Sequence, residues 1–156
     1  MQSTETETWQ KVRKILQEVG KAKIELRNLG VIRTEKFESD VMEWFTAKQL
    51  GLKLAESSVN KGFDATDDDG NTYQIKSRGN SDFDSTSFDS KSMEGFDFLL
   101  CVFYNPIDYE ITRIYKANRS TVNRLTNVNK KNVRFRWTKE TKNDPGVSLE
   151  YSNLSK

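Results

Sequence analysis

The chain has 156 residues, the usual size of a single domain, and its nine Phe, five Tyr and three Trp provide bulk for a hydrophobic core. It contains no His, which excludes hydrolases and nucleases that depend on a His base, nucleophile or metal ligand. Its single cysteine, Cys101, can form neither an internal disulfide nor a cysteine-rich zinc site, and its apolar neighbours predict burial. No signal peptide or bilayer-length apolar run is visible, so we expect a cytoplasmic protein with no membrane association.

Two helices are predicted first. Residues 7–29 have an amphipathic pattern that ends near Gly30, and this helix either packs on the core or serves as an accessory or dimerisation element. Residues 34–50 have a second helical pattern, ended by Gly51. Glu38 and Glu43 lie on this second helix, about 140° apart around its axis. The apolar positions of the first helix are Trp9, Val12, Leu16, Val19, Ala22 and Leu26.

A hairpin is predicted next, after a short strand over residues 52–57. An Asp-Gly pair between runs of β-formers predicts strands over residues 62–67 and 71–77, joined by the three-residue loop 68–70 with a positive φ at Gly70. In that register Asp64 faces Gln74, and Lys76 shares their side of the sheet. The apolar pairs Phe63 with Ile75 and Ala65 with Tyr73 then share the other side, whereas a two-residue loop would mix polar and apolar residues on both faces.

The remaining elements are predicted more coarsely. Residues 79–95 are rich in Ser and Asp and predict a loop with one helical turn, a candidate for substrate contact. Residues 96–104 predict a buried strand, residues 105–108 a turn, and residues 109–116 an antiparallel return. A short helix over residues 120–125, capped by Ser120, a strand over residues 133–139 and a polar tail complete the chain. The expected organisation is one domain, with the first helix over residues 1–33, a core over residues 34–140 and a tail over residues 141–156.

Charge is distributed unevenly along the chain, although the net charge is only +2. Residues 35–111 carry sixteen acidic and seven basic residues, whereas residues 112–143 carry one acidic and ten basic residues. Basic residues interleaved with aromatic residues suit a phosphate backbone, so this block predicts nucleic-acid binding. A solvated charged face is the alternative. The predicted contacts are Arg78, Arg113, Lys116, Arg119, Lys130, Lys131, Arg134 and Arg136.

The hairpin resembles the active-site motif of the PD-(D/E)XK, or restriction-endonuclease-like, nuclease superfamily. Asp64 matches the Asp of that motif, and Gln74-Ile75-Lys76 matches the Gln-x-Lys variant of Mrr-like enzymes. Phe63 stands where the Pro would be, and Gln74 replaces a carboxylate by a neutral amide. The order of elements over residues 34–138 is similar to that of the superfamily, which implies an α/β (α+β) fold with a mixed central β-sheet flanked by helices.

The resemblance implies a Mg²⁺- or Mn²⁺-dependent endonuclease that hydrolyses phosphodiester bonds, with DNA as the expected substrate and RNA not excluded. Asp64, Gln74 and Glu43 would bind the metal, and Lys76 would orient or deprotonate the attacking water or stabilise the transition state. Glu43 is preferred to Glu38 because it precedes the Leu-Gly pair at the helix end, as in related small nucleases. Many members form dimers, but the sequence indicates no interface.

Two alternatives stay open from the sequence. One is a catalytically inactive nucleic-acid-binding or protein-interaction module on the same fold, which the amide of Gln74 favours. The other is an unrelated α+β domain whose acidic hairpin is solvated.

Overall fold

The computed structural model describes residues 2–56, 62–79, 85–89, 95–126 and 134–153, with only the backbone described for residues 2–5 and 85–89. The chain divides into two compact units, residues 1–41 and residues 42–156. No helix in the described ranges is both long and apolar enough to cross a membrane.

The first unit consists mainly of helix α1, Gln2–Asn28, which starts earlier than the predicted residue 7. Gly30 has a φ of 76°, and its N–H donates to the carbonyl of Arg27 at 3.0 Å. This left-handed residue ends the helix as predicted, because a glycine adopts positive φ without a steric penalty. Val31 and Ile32, which follow the turn, are buried.

Helix α2, Phe37–Leu50, begins in the first unit and continues into the second. It starts three residues later than predicted because the buried carboxylate of Asp40 accepts hydrogen bonds from the backbone N–H groups of Arg33 and Thr34, which hold the preceding residues in a turn. The helix ends at Gly51, whose φ is 66°, and this confirms the predicted end.

In the second unit, six of the described strands form a mixed sheet in the order β1-β2-β3-β5-β6-β8. Strands β3 and β5 are parallel, and the other adjacent pairs are antiparallel. Together with the helices this confirms the predicted α/β (α+β) class. The strands are β1 (Lys53–Leu54), β2 (Ala65–Thr66), β3 (Thr72–Arg78), β5 (Phe98–Tyr104), β6 (Ile111–Asn118) and β8 (Val147–Ser152).

Two further strands, β4 (Ser85–Asp89) and β7 (Arg134–Thr138), form a separate antiparallel pair. The helices of this part of the chain are α3 (Arg119–Leu125) and α4 (Lys139–Lys142). Asn118 caps α3, since its side chain accepts a hydrogen bond from the N–H of Thr121 at 2.9 Å. The prediction that Ser120 is the cap was therefore wrong; Ser120 lies within the helix and its hydroxyl donates to Asn118.

The core lies on both faces of β5, which is buried from Leu99 to Tyr104 and explains the continuous apolar run in the sequence. On one face, Leu99, Cys101 and Phe103 pack with Tyr115 and Ala117 of β6 and beneath the aromatic side chains of β7. Cys101 is buried as predicted, and burial raises the pKa of its thiol far above the usual range. We call this face the core face. Its remaining buried members are Phe96, Val122, Phe135 and Trp137.

Two predicted segments differ from the structure. The sequence predicts a loop over residues 79–95, but this segment contains strand β4, which pairs with β7. The predicted polar tail, residues 141–156, contains helical residues at its start and strand β8, which extends the main sheet beyond β6.

Candidate active site

The hairpin turn closes as predicted. Gly70 has a φ of 84°, and the N–H of Asp67 donates to the carbonyl of Asn71 at 3.1 Å, which leaves residues 68–70 as the loop. The Asp67 carboxylate holds the turn by accepting hydrogen bonds from the backbone N–H groups of Asp69 and Asn71, at 3.0 and 2.9 Å. Hydrogen bonds from Asn71 are the main reason that the pKa of Asp67 lies below its ordinary value. Asp67 therefore has a structural role in this turn.

The strand register also follows the prediction up to Ala65. Ala65 pairs with Tyr73 and Thr66 with Thr72, which is the register set by the three-residue loop. Asp64 then meets Gln74, and the amide Nε2 of Gln74 donates to Oδ2 of Asp64 at 2.7 Å. The structure thus brings together the two residues that the sequence placed opposite each other.

Asp64 departs from regular strand geometry. Its N–H donates to the carbonyl of Tyr73 at 2.8 Å, although Tyr73 is already the register partner of Ala65. The N–H of Ile75, two residues further along β3, donates to the Asp64 side chain at 2.7 Å. A carboxylate oxygen therefore occupies the place of a strand carbonyl, as happens where an irregularity ends a ladder.

This irregularity overturns one part of the predicted register. The prediction places Phe63 against Ile75 on the side opposite Asp64, but Phe63 packs against the core-face cluster. The strict alternation of side chains holds only in a regular strand, and it fails across the irregular residue Asp64.

Lys76 lies on the same face as Gln74, as predicted. In the parallel pairing with β5, Gln74 is level with Leu99 and Lys76 with Cys101, and level residues of neighbouring strands point to the same face. Both polar side chains are half-buried, and Asp64 is only 6% exposed. The three polar residues thus lie on the core-face side of the sheet, next to the buried strand β5 and towards the short strands β2 and β1.

The two glutamates on α2 differ in exposure and belong to different units. Glu38 is exposed in the first unit, whereas Glu43 is half-buried in the second unit, which also contains the hairpin. Glu43 as a third ligand to a metal at Asp64 stays a prediction. Within the described ranges no group of three or more His, Cys, Asp and Glu side chains is arranged to hold a metal ion. The oxygen donors that the hairpin itself brings together are the carboxylate of Asp64 and the side-chain amide of Gln74.

The predicted nucleic-acid contacts fall on several surfaces. Arg78 and Arg113 are each level with Phe103, from the two neighbouring strands, so both lie on the core-face side of the sheet. Lys116 is on the opposite face, within 3.2 Å of Glu150 and over the ring of Phe98. It is therefore less available for phosphate than the sequence suggested.

The other predicted contacts lie at the start of α3 and along β7. Arg119 is exposed at the first residue of α3, and Arg134 and Arg136 are exposed on β7, where they alternate with buried Phe135 and Trp137. Lys130 and Lys131 lie outside the described residues. Arg124, also in the basic block, forms a two-bond pair with Asp144 at 2.8 and 2.9 Å.

The sequence did not indicate a pocket of about 440 Å³ in the second unit. Its lining combines aromatic rings with two carboxylates, which disfavour a phosphate ligand. Tyr109 has a φ of 61°, a left-handed conformation that is uncommon for a residue other than glycine. No local sequence pattern predicts the pocket, because its lining residues are far apart in the chain. They are Phe45, Gln49, Asp108, Tyr109, Glu110, Ile111, Tyr151 and Asn153.

Comparison of the sequence with known proteins gave no matching family model and no similar curated protein.

Proposed function

We propose that this protein is a metal-dependent endonuclease that hydrolyses phosphodiester bonds in DNA, with RNA as the alternative substrate. The observation that carries the proposal is the contact of Asp64 with Gln74, with Lys76 two residues further on the same face. This is the arrangement that the resemblance to the PD-(D/E)XK superfamily implies, and the mixed sheet with β3 parallel to β5 is consistent with it.

The donor atoms suit a hard divalent cation. Carboxylate and amide oxygens are ligands that Mg²⁺ and Mn²⁺ accept, and both cations keep several waters when the protein offers few ligands. The amide of Gln74 directs its Nε2 at Asp64, so this amide must turn over before its oxygen and the carboxylate can share an ion. Asp64, Gln74 and, from α2, Glu43 would hold the metal.

The roles of the side chains follow from their charge and place. A bound metal would supply Lewis-acid activation of the phosphate and of a water molecule. Lys76 would hold the attacking water near the phosphate and stabilise the extra negative charge of the transition state. Asp64 would bind the cation through its carboxylate, whose Oδ2 also accepts the hydrogen bond from the N–H of Ile75.

The basic side chains beyond Lys76 would hold the substrate backbone. Arg78 is two residues further along β3, about 7 Å away at the standard strand rise. Arg113 is two strands across from Arg78, with Phe103 between them. Two guanidinium groups flanking one strand end can each contact a phosphate oxygen, which fixes the register of the substrate without reading its sequence.

One observation favours the second candidate, a nucleic-acid-binding module that does not cleave. Oδ2 of Asp64 accepts two hydrogen bonds from its own hairpin, from Gln74 and from Ile75. A carboxylate that supports the fold in this way can be retained without any metal. Cleavage separates the two candidates, because both would bind nucleic acid.

The test is cleavage of plasmid, linear, single-stranded and branched DNA and of RNA in Mg²⁺ or Mn²⁺, with EDTA as the metal-free control. Asp64→Asn is a better variant than Asp64→Ala, because the Asn side chain can still accept the hydrogen bond from Ile75. Lys76→Met removes the charge and keeps the length of the side chain. Lys21→Met, on the exposed surface of α1, is the matched control.

We expect metal-dependent cleavage by the wild type and by Lys21→Met, and a loss of at least about 100-fold in Asp64→Asn and Lys76→Met. Binding without cleavage by folded wild-type protein would support the non-cleaving module. Full activity in Asp64→Asn would remove this site from the mechanism.

A further inference from the structure

The pocket of about 440 Å³ in the second unit lies where three elements meet. Phe45 and Gln49, one helical turn apart on α2, form one wall. The turn before β6 and the first residue of that strand, residues 108–111, form the second wall, and the end of β8 with Tyr151 forms the third. The volume is within the usual range for small-ligand pockets, about 300–1,000 Å³.

Backbone hydrogen bonds close the turn that forms the second wall. The N–H of Asn105 donates to the carbonyl of Glu110 at 2.9 Å, and the N–H of Tyr109 donates to the carbonyl of Asn105 at 2.8 Å. The ring of Tyr109, whose backbone is left-handed, stacks on Tyr104 with 6.2 Å between the ring centres. The turn therefore presents its side chains to the pocket from a backbone that its own hydrogen bonds hold in place.

Two carboxylates make the lining acidic. Asp108 and Glu110 are exposed, and neither forms an ion pair in the part of the chain that the structure describes. One oxygen of Asp108 accepts a hydrogen bond from the N–H of Glu110 at 3.0 Å, which leaves its second oxygen for a ligand. None of the described residues that line the pocket is basic. The lining therefore favours a cation over an anion.

Aromatic rings and a buried amide oxygen favour an organic cation over a metal ion. Phe45, Tyr109 and Tyr151 contribute three rings, and ring faces attract an organic cation and pack against its apolar chain, whereas a hard metal ion is held by oxygen ligands. Oδ1 of Asn153, in the same lining, is buried and has no hydrogen-bond partner among the described residues. Because that oxygen is shielded from solvent, the amide must rotate to meet a ligand. A ligand with N–H donors would then satisfy it.

We propose that this pocket binds an alkylammonium ion, that is, a protonated primary amine on a short apolar chain. The ammonium group would lie beside the carboxylates of Asp108 and Glu110, and the methylene chain would pack against the rings. A free amine and the side chain of a lysine share this chemistry. The inference goes beyond the proposed function and does not rest on it.

Tyr151 places the pocket on the face of the sheet opposite the proposed active site. Its neighbour Ser152 pairs with Arg113, which lies on the core-face side, so Tyr151 points to the other face. Gln74 and Lys76 lie on the core-face side. Loss of binding at one site can therefore be measured without loss at the other.

The test is a titration of the ¹⁵N-labelled full chain with pentylammonium, followed by the amide NMR signals in about 0.15 M salt. We expect a dissociation constant on the order of 0.1–1 mM, since the ligand is small, with the largest shifts at Ile111, Tyr151 and Asn153. The neutral analogue 1-pentanol should bind at least about tenfold more weakly, because it lacks the charge. The pentyltrimethylammonium ion should also bind more weakly than pentylammonium, because it has no N–H donor.

A second ligand separates the two sources of the ammonium group. Nα-acetyl-lysine amide carries the same group on four methylenes and adds a peptide unit. Tighter binding than that of pentylammonium would support a lysine side chain of a protein as the natural ligand. Weaker binding would support a free amine.

Matched double variants test the carboxylates. Asp108→Asn/Glu110→Gln removes both charges of the pocket and keeps the shapes of the side chains, and it should weaken pentylammonium binding at least about tenfold. Asp69→Asn/Glu140→Gln removes the same two charges from exposed positions elsewhere and should change the affinity by less than about twofold. Phe45→Leu, which removes one ring without changing the charge, should weaken binding about threefold. The amide spectrum verifies that each variant is folded.

Several results would overturn the proposal. One is a wild-type spectrum that does not change up to about 10 mM pentylammonium, well above the expected dissociation constant. Others are binding of 1-pentanol as tight as that of pentylammonium, or an equal loss of affinity in the two double variants. Mg²⁺ that shifts the same signals with higher affinity than pentylammonium would make the pocket a metal site instead.

Discussion

Asp64 shows how one residue can serve both the fold and the proposed chemistry. Its carboxylate accepts a side-chain hydrogen bond from Gln74 and a backbone hydrogen bond from Ile75, so it holds β2 against β3 at the point where the ladder ends. The same oxygen-rich position is where the proposed metal would bind. Substitutions at the partner Gln74 separate these two roles.

The variant Gln74→Glu should weaken the metal-free protein and strengthen its response to metal. It replaces a hydrogen bond of 2.7 Å by two carboxylates in contact, which raises the pKa of one of them and favours a bound cation. Losing such a hydrogen bond costs about 1–3 kcal/mol of unfolding free energy. The melting temperature in EDTA should therefore fall by several degrees.

Thermal denaturation in EDTA and in Mn²⁺ measures this effect, with Gln49→Glu on α2 as a control that adds the same charge elsewhere. Mn²⁺ should raise the melting temperature of Gln74→Glu more than that of the wild type or the control. An unchanged melting temperature in EDTA together with no added response to Mn²⁺ would show that the side chains are not arranged as described.

Tyr73 links the stability of the hairpin to alkaline pH. Burial, with a hydrogen bond to Asp67 and the charge of that carboxylate, raises the pKa of Tyr73 to about 12 from 10.0. A group whose pKa is raised by folding adds stability below its unfolded pKa and loses it as pH rises through the folded value. The contribution of Tyr73 is thus complete below pH 10 and is lost between pH 10 and about 12.

Urea denaturation at several pH values tests this dependence by comparing the wild type with Tyr73→Phe. The difference in unfolding free energy between the two proteins should be constant up to pH 10 and should shrink above it. A difference that stays constant above pH 10 would mean that Tyr73 ionises with an ordinary pKa.

Local interactions made part of the site predictable. The Asp-Gly signal fixed the three-residue loop, and the loop fixed the pairing of Ala65 with Tyr73. The predicted side of the sheet was wrong for Phe63, because the direction of its side chain depends on the irregular backbone at Asp64. It also depends on packing against core-face residues that are distant in the sequence. Alternation in the sequence contains no signal for such an irregularity.

At the scale of single elements, helix α3 depends on a cap that lies outside its predicted start. Asn118 ends β6 and caps α3, so a single side chain determines where the strand stops and the helix begins. Asn118→Ala should lower the unfolding free energy by about 1 kcal/mol, within a usual range of about 0.5–2 kcal/mol. Urea denaturation measures it.

Ser120→Ala is the matched control for the cap. Its hydroxyl donates to Asn118, but it accepts no hydrogen bond from the helix N-terminus in the described structure, so we expect a change below about 0.5 kcal/mol. A larger loss for Ser120→Ala than for Asn118→Ala would reverse the assignment of the cap.

The missed strands differ in how far the sequence could have indicated them. In β8 the apolar residues Val147, Leu149 and Tyr151 alternate with polar ones, which is a usable strand pattern that the polar context obscured. Strand β4, Ser85–Asp89, has one large apolar residue, Phe88, which lies between Ser87 and Asp89. Its strand conformation depends on pairing with β7, about 50 residues further along the chain, and no local pattern predicts such a pairing.

At the scale of the whole molecule, the class of fold was predictable and the strand order was not. The helical and strand periodicities gave the mixed α and β composition, because they reflect burial of one face of each element. The parallel contact of β3 with β5 joins segments separated by residues 79–97, and this non-local pairing sets which residues are level with Lys76. The row of Lys76, Arg78 and Arg113 could only be recognised from the structure.

The uneven charge gives a prediction about nucleic-acid binding. Arg134 and Arg136 are exposed on β7, and removing one cation that neutralises a phosphate should reduce the slope of log K against log salt by about 0.9 on duplex DNA. The double variant Arg134→Gln/Arg136→Gln should therefore lower the slope by about 2 and weaken binding to all sequences alike. Fluorescence anisotropy over a salt series measures it.

Lys14→Gln/Lys21→Gln on α1 removes the same charge and is the control for long-range electrostatics. It should leave the slope almost unchanged, because these residues are exposed on a helix that we do not place against nucleic acid. Equal slopes for the two double variants would mean that β7 binds no phosphate.

The most direct test of the proposed active site is calorimetric titration of Mn²⁺ into the wild type, Asp64→Asn and Asp69→Asn. Asp69 is exposed in the turn of the same hairpin and serves as the control for removal of an acidic residue. We predict that the wild type and Asp69→Asn bind Mn²⁺ with similar affinity and that Asp64→Asn binds it at least about tenfold more weakly. Equal binding by Asp64→Asn, or no binding by the folded wild type, would contradict a metal centre at Asp64 and with it the proposed nuclease.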